Sequence, residues 1–425
     1  MKYRNEIDGL RAIAVIPVIL FHAGFERFGG GYVGVDVFFV ISGYLITTVI
    51  LNEKERGEFS IASFYERRTR RILPVLLLVL ISSIGFAWIL LLPSDLTDFS
   101  ESLIAVTVFS SSILFWKEAG YFAGAAELKP LLHTWSLAIE EQYYVLYPIL
   151  LVAVQWLSKR WMFTAIIVLC FFSVGLSQWA AFEKPNANFF LLPTRVWELM
   201  IGASAAFLLL YWKSNTKLVN DHRYASEVLG LIGITLIVFS VLVYDQTIPF
   251  PSVYTLVPTL GTALIIMFSA SSTTVGKILS VKLFVGVGVV SYSAYLWHQP
   301  IFVFARHKFG LDLEGDYYFW LMSLTFLLAV ISWKLVEKPF RDIRIVSRKT
   351  VFLTLIGGSV LVLSMGVLGI VVDGKSPFLS DDLLIREELI AKNKSERQKA
   401  INAGICHFNK KGKHTEIGSF ISNWS

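Results

Sequence analysis

An arginine and a histidine stand in one apolar run near the start of the chain, at a spacing that places both on one side of a helix. Ten residues separate Arg11 from His22. Eleven helical positions make about three turns, so the two side chains share a face and lie about 16 Å apart. They are too far apart to touch, but they can line one passage. A neutral imidazole there is suited to act as a general base or as a nucleophile.

Other ionisable residues fall at nearly the depth of His22. A charged side chain inside a bilayer costs at least about 2.5 kcal/mol, so each one invites a functional explanation. Asp36, in the second apolar run, is predicted to orient the imidazole, and Glu140 and Glu141 join the same layer as catalytic candidates. The layer also contains Arg195, Glu198 and His298. The alternative is that these residues form buried salt bridges that only hold helices together. For Arg195 and Glu198 this alternative has the same weight as a functional role.

Four arginines precede the third apolar run, in the segment 66–71. A basic cluster beside a membrane can simply fix topology, which needs no ligand. Arginine also offers the forked donors that suit phosphate, and an acyl-CoA carries a 3′-phosphate and a pyrophosphate. Arg68 and Arg70 are therefore predicted to bind such a headgroup. Arg11, near the same membrane surface, is predicted to contact the donor deeper in the bundle.

The elements that position these residues are membrane-spanning helices. Of the 425 residues, 55% are hydrophobic and 16% are charged, with a mean hydropathy of +0.62, which excludes an ordinary soluble domain. The sequence predicts an all-α bundle of about eleven crossings, each long enough for a hydrocarbon core of about 30 Å. They are predicted at 9–26, 34–52, 72–92, 137–157, 161–181, 189–211, 227–244, 254–270, 283–304, 317–336 and 350–372.

The charges of the loops predict the orientation of the bundle. If the segment 101–116 is re-entrant, the loops on one side hold 18 Lys and Arg and those on the other side hold 6. The richer side faces the cytoplasm, so the N-terminus is predicted inside and the tail after residue 372 outside. Although the net charge is +6, the basic residues are scattered among short loops. This distribution indicates topology and argues against nucleic acid as a partner.

The two cysteines carry little structural information. Cys170 lies in a predicted span and Cys406 in the tail, which gives neither a zinc-ligand spacing nor a disulfide framework, so no metal is predicted. An unpaired cysteine on an oxidising face predicts that the tail is the remnant of a larger domain. A disordered tail with a free thiol is the alternative. The predicted divisions are a transmembrane domain 1–345, an additional helix 346–372 and an extracytoplasmic tail 373–425.

The runs that contain these residues form a recurring set of motifs: IDGLRAIA at 7–14, GVDVFFVISGYLI at 34–46, RTR at 68–70, HTWSLAIEEQYY at 133–144, YLWH at 295–298 and EKPF at 337–340. Together they resemble the acyltransferase 3 family of bacterial membrane O-acyltransferases, over about residues 4–345. The resemblance implies that Arg11 and His22 are essential and that Arg68 and Arg70 bind the donor. A subgroup of the family carries an extra span and an extracytoplasmic SGNH-type domain. The chain matches the span, but after residue 372 it has no Gly-Asp-Ser block.

The resemblance implies an enzyme of the bacterial inner membrane that modifies a cell-envelope glycan, for example lipopolysaccharide O-antigen. The predicted donor is acyl-CoA, with acetyl-CoA as the expected form, and no permanently bound cofactor is predicted. The acceptor is a sugar hydroxyl of that glycan or of a lipid-linked sugar. His22 would act as the base on this hydroxyl or carry the acyl group itself. The alternatives are a transporter or flippase for a lipid-linked sugar or exopolysaccharide, and an acyltransferase inactivated by truncation.

Overall fold

Apolar runs of this length fold as helices in a bilayer, because each helix satisfies its own backbone hydrogen bonds. The computed structural model describes residues 3–119, 128–154, 156–211, 219, 221–245, 247–310 and 315–378. Within these ranges the chain forms helices and turns, without β-strands. The predicted all-α class is therefore confirmed.

The helices are numbered here in chain order. The first nine are α1 Asn5–His22, α2 Gly34–Glu55, α3 Ile61–Leu90, α4 Pro93–Thr107, α5 Ser111–Glu118, α6 Thr134–Ala153, α7 Lys159–Glu183, α8 Pro185–Phe190 and α9 Leu192–Tyr211. The next seven are α10 Arg223–Val243, α11 Leu256–Phe268, α12 Thr274–Leu279, α13 Lys282–Phe309, α14 Gly315–Ser332, α15 Lys338–Arg341 and α16 Arg348–Val371. A π-helical turn, Trp333–Glu337, joins α14 to α15.

A helix lies on each of the eleven predicted crossings. By length and composition, seven helical stretches in the described part of the chain are able to cross a membrane: Gly31–Glu55, Ile61–Leu90, Lys159–Glu183, Leu192–Tyr211, Arg223–Val243, Gly315–Arg341 and Arg348–Val371. The other four predicted crossings fall on α1, α6, α11 and α13. Three of these helices carry buried polar residues that lower their hydropathy, and α11 has only 13 residues. A polytopic membrane bundle is confirmed, while the count of eleven crossings stays a prediction.

Several predicted boundaries differ from the helix ends by a few residues, and two of these differences bear on the site. Helix α1 ends at His22, four residues before the predicted end at 26, so His22 occupies its last turn. Helix α3 begins at Ile61, eleven residues before the predicted start at 72. Ser60 caps this helix, since its side chain accepts a hydrogen bond from the Ser63 backbone N–H. The arginine cluster is therefore part of a helix and does not lie in a loop.

The segment 101–116 does not form one helix. It is divided between α4 and α5, which are separated at Phe109, a residue with a positive φ of 54°. Helix α4 has 15 residues and α5 has 8, and each is shorter than the roughly 20 residues needed to cross a bilayer.

Helix α1 packs between α2 and α13, and α2 packs in turn against α9. Glycines permit the closest contacts, as is usual between helices in membranes. A Cβ atom on Gly288 of α13 would lie 1.7 Å from the carbonyl oxygen of Asp8 on α1. One on Gly202 of α9 would lie 1.9 Å from the carbonyl oxygen of Val40 on α2. These contacts hold the backbones of the site-bearing helices against each other.

The last helix joins the same bundle. Helix α16 packs against α3 and α4, and Ser376 beyond it donates a hydrogen bond of 2.5 Å to the Trp88 carbonyl oxygen. The predicted division at 345/346 stays a prediction. Of the predicted tail 373–425, residues 379–425, with Cys406, lie outside the described residues.

Candidate active site

The site is organised along α1, where Arg11 and His22 occupy one continuous helix as the spacing predicts. Arg11 forms an ion pair with Asp8 one turn earlier, with 3.2 Å between Nη1 and Oδ1. Asp8 also accepts a hydrogen bond from the Tyr3 hydroxyl. These partners hold the Arg11 guanidinium at the N-terminal end of the bundle.

Two adjoining cavities enter the bundle from this end. The N-terminal cleft, of about 1800 Å³ including open solvent, lies between the starts of α1 and α13 and the turn 333–342. The inner cavity, of about 790 Å³ including open solvent, lies between α1, α2, α3, α6 and α13. Residues that line both are Arg11, Leu45, Arg71, Ser291 and Tyr292. Arg11 therefore stands where the two cavities adjoin, and the two together are called the passage here.

Two arginines of α3 face this passage. Arg68 and Arg71 line the inner cavity together with Ile72, and the spacing of three and four residues places all of them on one side of the helix. The Arg68 guanidinium lies 5.5 Å from the centre of the Tyr144 ring. Within the described part of the chain neither arginine has a carboxylate partner in an ion pair. Both guanidinium groups are available to an anion.

Arg70 lies on another side of α3 and lines neither cavity. Its side chain is 4% exposed and pairs with Glu66 at 3.0 Å. It also donates to the backbone carbonyl oxygens of Phe340 and Val346, at 3.2 and 2.9 Å. In the structure it fastens α3 to the segment before α16, so the structure does not bring Arg68 and Arg70 together. The predicted donor-binding role of Arg70 stays a prediction.

The mouth of the passage is polar and mixed in charge. Lys338, Arg341 and Asp342 line the N-terminal cleft with Glu337, which accepts a hydrogen bond from Ser293 at 3.2 Å. Hydrogen bonds from Arg344 lower the pKa of Asp342 to about 2, so this carboxylate stays ionised. In all, five basic side chains and three carboxylates line this cleft, so positive charge is in excess there.

The two candidate glutamates have different surroundings. Glu140 lines the inner cavity and accepts hydrogen bonds from Ser42 at 2.9 Å and from Tyr144 at 3.2 Å. Glu141 is buried on another side of α6, and its Oε1 has no hydrogen-bond partner among the described residues. Glu140 is thus the glutamate that a molecule in the cavity would meet.

Asp36 is buried in an ion-pair cluster. Its Oδ1 accepts a hydrogen bond from Arg195 at 2.9 Å, and Arg195 also lies 3.3 Å from Glu198. The arginine is 1% exposed, and its guanidinium lies over four aromatic rings: Phe39, Trp135, Phe189 and Phe250. The cluster connects α2 to α9, as the alternative of buried salt bridges anticipates. The structure places Asp36 on this arginine and does not bring it into hydrogen-bond contact with His22.

His22 is instead oriented by its own helix. Its Nδ1 lies 2.8 Å from the Val18 carbonyl oxygen. A carbonyl oxygen can only accept, so Nδ1 carries the proton and the lone pair of the imidazole is on Nε2. Arg306 of α13 donates to the His22 carbonyl oxygen at 2.6 Å, which places a cation at the C-terminus of α1.

Two further histidines surround His22. The ring of His298, on α13, lies 5.1 Å from that of His22, and the ring of His133, just before α6, lies 5.4 Å from that of His298. Tyr295 contacts both this cluster and the inner cavity, because it lines the cavity and its ring lies 5.3 Å from His298. The Tyr295 hydroxyl is held by Ser136 at 2.7 Å. In the described chain no group of three His, Cys, Asp or Glu side chains is arranged to hold a metal ion.

Sequence reasoning overlooked two members of this arrangement. Arg71 follows Arg68 by three residues, and this helical spacing was available as a signal once α3 is extended back to Ser60. The sequence indicates His133 only as part of the motif at 133–144. Its proximity to His298 depends on tertiary contacts between two distant parts of the chain, and no pattern within either run indicates it.

Comparisons with known proteins identify the family of the chain. The family model described as "Acyltransferase domain" matches residues 4–334. The chain therefore belongs to the acyltransferase 3 family of membrane proteins. No solved structure matches the chain significantly.

Curated relatives extend the comparison. A Staphylococcus aureus (strain MSSA476) protein named "Putative O-acetyltransferase" is 33% identical over 360 residues, which cover 80% of this chain and 58% of the relative. "Peptidoglycan O-acetyltransferase OatA" of Listeria monocytogenes is 30% identical, and the match covers 80% of this chain and 56% of that protein. The chain thus matches a little over half the length of these relatives.

Proposed function

We propose that this chain transfers an acyl group, with acetyl as the expected form, from acyl-CoA to a sugar hydroxyl of a cell-envelope glycan. The observation that carries the proposal is the passage with Arg11 at its midpoint, in a chain of the acyltransferase 3 family. It leads from a basic mouth toward an imidazole whose lone pair is free. A thioester donor with an anionic headgroup suits both ends, with the headgroup at the basic mouth and the thioester toward the imidazole.

The donor is proposed to bind along this passage. The phosphates of CoA lie in the N-terminal cleft, where Arg71 and Lys338 offer cations. The pantetheine arm then passes Arg11 into the inner cavity, which offers Ser42, Ser291 and apolar walls to its amides and methylenes. The thioester reaches His22 when the Tyr295 ring turns aside.

Each candidate residue has a distinct part in this proposal. His22 Nε2 either takes the proton of the acceptor hydroxyl or attacks the thioester itself. Glu140, held by Ser42 and Tyr144, faces the donor within the cavity. Asp36 and Glu141 contribute to helix packing, because each is buried and neither lines the inner cavity.

The names of the relatives indicate the acceptor to test first. The Listeria protein and the Bacillus subtilis relative named "Putative peptidoglycan O-acetyltransferase YrhL" carry peptidoglycan in their names. We therefore place peptidoglycan beside lipopolysaccharide O-antigen as a candidate glycan for this chain. Both present sugar hydroxyls, as the proposed reaction requires.

The proposal is tested by the O-acetyl content of purified glycans from cells with and without this gene. Proton NMR and mass spectrometry should show an acetyl group that is lost on deletion and restored by the intact gene. His22→Asn should not restore it, although asparagine still donates to the Val18 carbonyl and preserves the helix. Unchanged acetylation of every envelope glycan after deletion would refute the proposal and favour a transport role.

A further inference from the structure

A second imidazole beside His22 has no part in the function proposed above. His298 is fully buried on α13, and its Nδ1 lies 2.5 Å from the Tyr295 carbonyl oxygen. By the argument used for His22, Nδ1 carries the proton and Nε2 carries a lone pair. Within the described part of the chain this Nε2 has no hydrogen-bond partner. A buried polar atom without a partner costs about 1–3 kcal/mol, so such an atom calls for a ligand or a reaction.

The distance between the two imidazoles is fixed by the packing of α1 against α13. Their rings are 5.1 Å apart. Arg306, two turns after His298 on α13, donates to the His22 carbonyl oxygen and to the Tyr318 hydroxyl. The end of α1 is thereby tied to α13 at the level of the histidines. The His298 ring is therefore held beside the His22 ring.

Acyl transfer through His22 requires a base that His22 cannot supply. Once Nε2 carries an acyl group and Nδ1 a proton, this imidazole has no lone pair left to accept the proton of the incoming hydroxyl. Glu140 is engaged with Ser42 and Tyr144 inside the cavity. Asp36 is engaged with Arg195. His133 also has ring nitrogens without a partner among the described residues, but its ring contacts Tyr295 and His298. His298 is the histidine whose ring contacts that of His22, and its Nε2 has no partner within the described residues.

We propose that the two histidines divide the reaction, His22 carrying the acyl group and His298 acting as the general base toward the acceptor. This inference rests on the proposed function and specifies the route of transfer. In the first step His22 Nε2 attacks the thioester carbon, the C–S bond breaks, and the CoA thiolate leaves and takes a proton from solvent. An acyl-imidazolium remains on the protein.

In the second step the acceptor hydroxyl gives its proton to His298 Nε2 as its oxygen attacks the acyl carbon. The C–N bond breaks, and its electron pair returns to His22 Nε2. His298 then releases this proton to solvent, which balances the proton that the CoA thiolate took up in the first step. Both imidazoles are then neutral again. The products are free CoA and the acylated sugar.

The two steps can be separated in membranes that contain the natural acceptor. Membranes with the wild-type chain or a variant are given CoA that carries a radiolabelled acetyl group, and label is counted on the protein and on glycan. His298→Asn is the informative variant, because asparagine can still donate to the Tyr295 carbonyl oxygen but has no base at the Nε2 position. His307→Asn is the matched control, since His307 lies two turns further along α13 and bonds to the Leu128 carbonyl oxygen.

The wild-type chain and His307→Asn should pass label to glycan. His298→Asn should hold label on the protein, removable by hydroxylamine, while transfer to glycan falls at least about a hundredfold. His22→Asn should carry no label on the protein. The inference is overturned if His298→Asn labels glycan at the wild-type rate, or if it is folded but carries no label. If the wild-type chain labels neither protein nor glycan, the proposed function itself fails.

Discussion

At the scale of single residues, the side of the helix on which an arginine lies decides what it can bind. Arg68 and Arg71 are three positions apart on α3 and face the passage, whereas Arg70 points elsewhere and holds the segment before α16. The sequence alone groups Arg68 with Arg70, because the two frame a short motif. Since α3 continues through the motif, helical geometry groups Arg68 with Arg71 instead.

This grouping predicts different consequences for two neighbouring substitutions. Arg71→Gln should raise the KM for acetyl-CoA about tenfold or more, because a charge-assisted hydrogen bond to phosphate contributes about 1.5–3 kcal/mol. Arg70→Gln should leave this KM near wild type and lower the melting temperature, since two backbone carbonyls lose their donor and Glu66 keeps only its ion pair with Arg348. Initial rates over a range of donor concentrations, with a thermal melt of each purified variant, measure both effects.

The reverse outcome would support the assignment made from the sequence. A raised KM for Arg70→Gln at unchanged stability, with Arg71→Gln like wild type, would make Arg70 the donor-binding residue.

Asp36 marks the limit of what the sequence predicts at this scale. Its depth near His22 follows from its place in the second span, but its partner, Arg195, is 159 residues further along the chain. Which two helices meet, and with which faces, depends on packing between runs that are all apolar. The separation of Arg11 and His22 was predictable because it is a property of one helix.

At the scale of the helices, the contact between α1 and α13 aligns the two ends of the passage. Gly288 allows it, since any side chain there would meet the Asp8 carbonyl oxygen. Asp8 pairs with Arg11 in the passage, and the same helix pair brings His22 to His298. A substitution at Gly288 should therefore disturb both the position of Arg11 and the contact between His22 and His298.

Gly288→Ala should lower stability by about 1–3 kcal/mol, the usual cost of overpacking, and should lower acyl transfer as well. Gly286→Ala, two residues earlier on α13, is the control, because nothing lies within 4 Å of a Cβ atom there. Alanine favours a helix over glycine by about 1 kcal/mol, so the control should equal or exceed wild-type stability. Thermal melts in detergent and transfer rates compare the pair. Equal behaviour of the two variants would show that the close contact does not matter.

The helices themselves were largely predictable from apolar runs, and their ends were not. The start of α3 was placed eleven residues too late, because the charged residues 66–71 break the apolar pattern although the helix continues through them. The break at Phe109 between α4 and α5 depends on a single residue with positive φ, which no periodicity indicates. Apolar content predicts the depth of a segment, while capping and local turns determine where its helix stops.

At the scale of the whole molecule, the passage and the histidine cluster lie toward opposite ends of α1. The cleft opens beside the N-terminus, and His22 is in the last turn of the same helix. If the loop charges orient the chain as predicted, the donor enters from the cytoplasm and the acyl group leaves on the other side. Such an arrangement would let a cytoplasmic thioester modify a glycan that never enters the cytoplasm.

The sidedness of transfer tests this central claim most directly. Sealed inside-out and right-side-out vesicles of cells that make the protein are given CoA with a radiolabelled acetyl group, and label on glycan is counted. The account predicts label on glycan in inside-out vesicles, none with His22→Asn, and none in right-side-out vesicles until they are permeabilised. Equal labelling of glycan in sealed right-side-out vesicles would contradict it, because the donor would then be entering from the outer face.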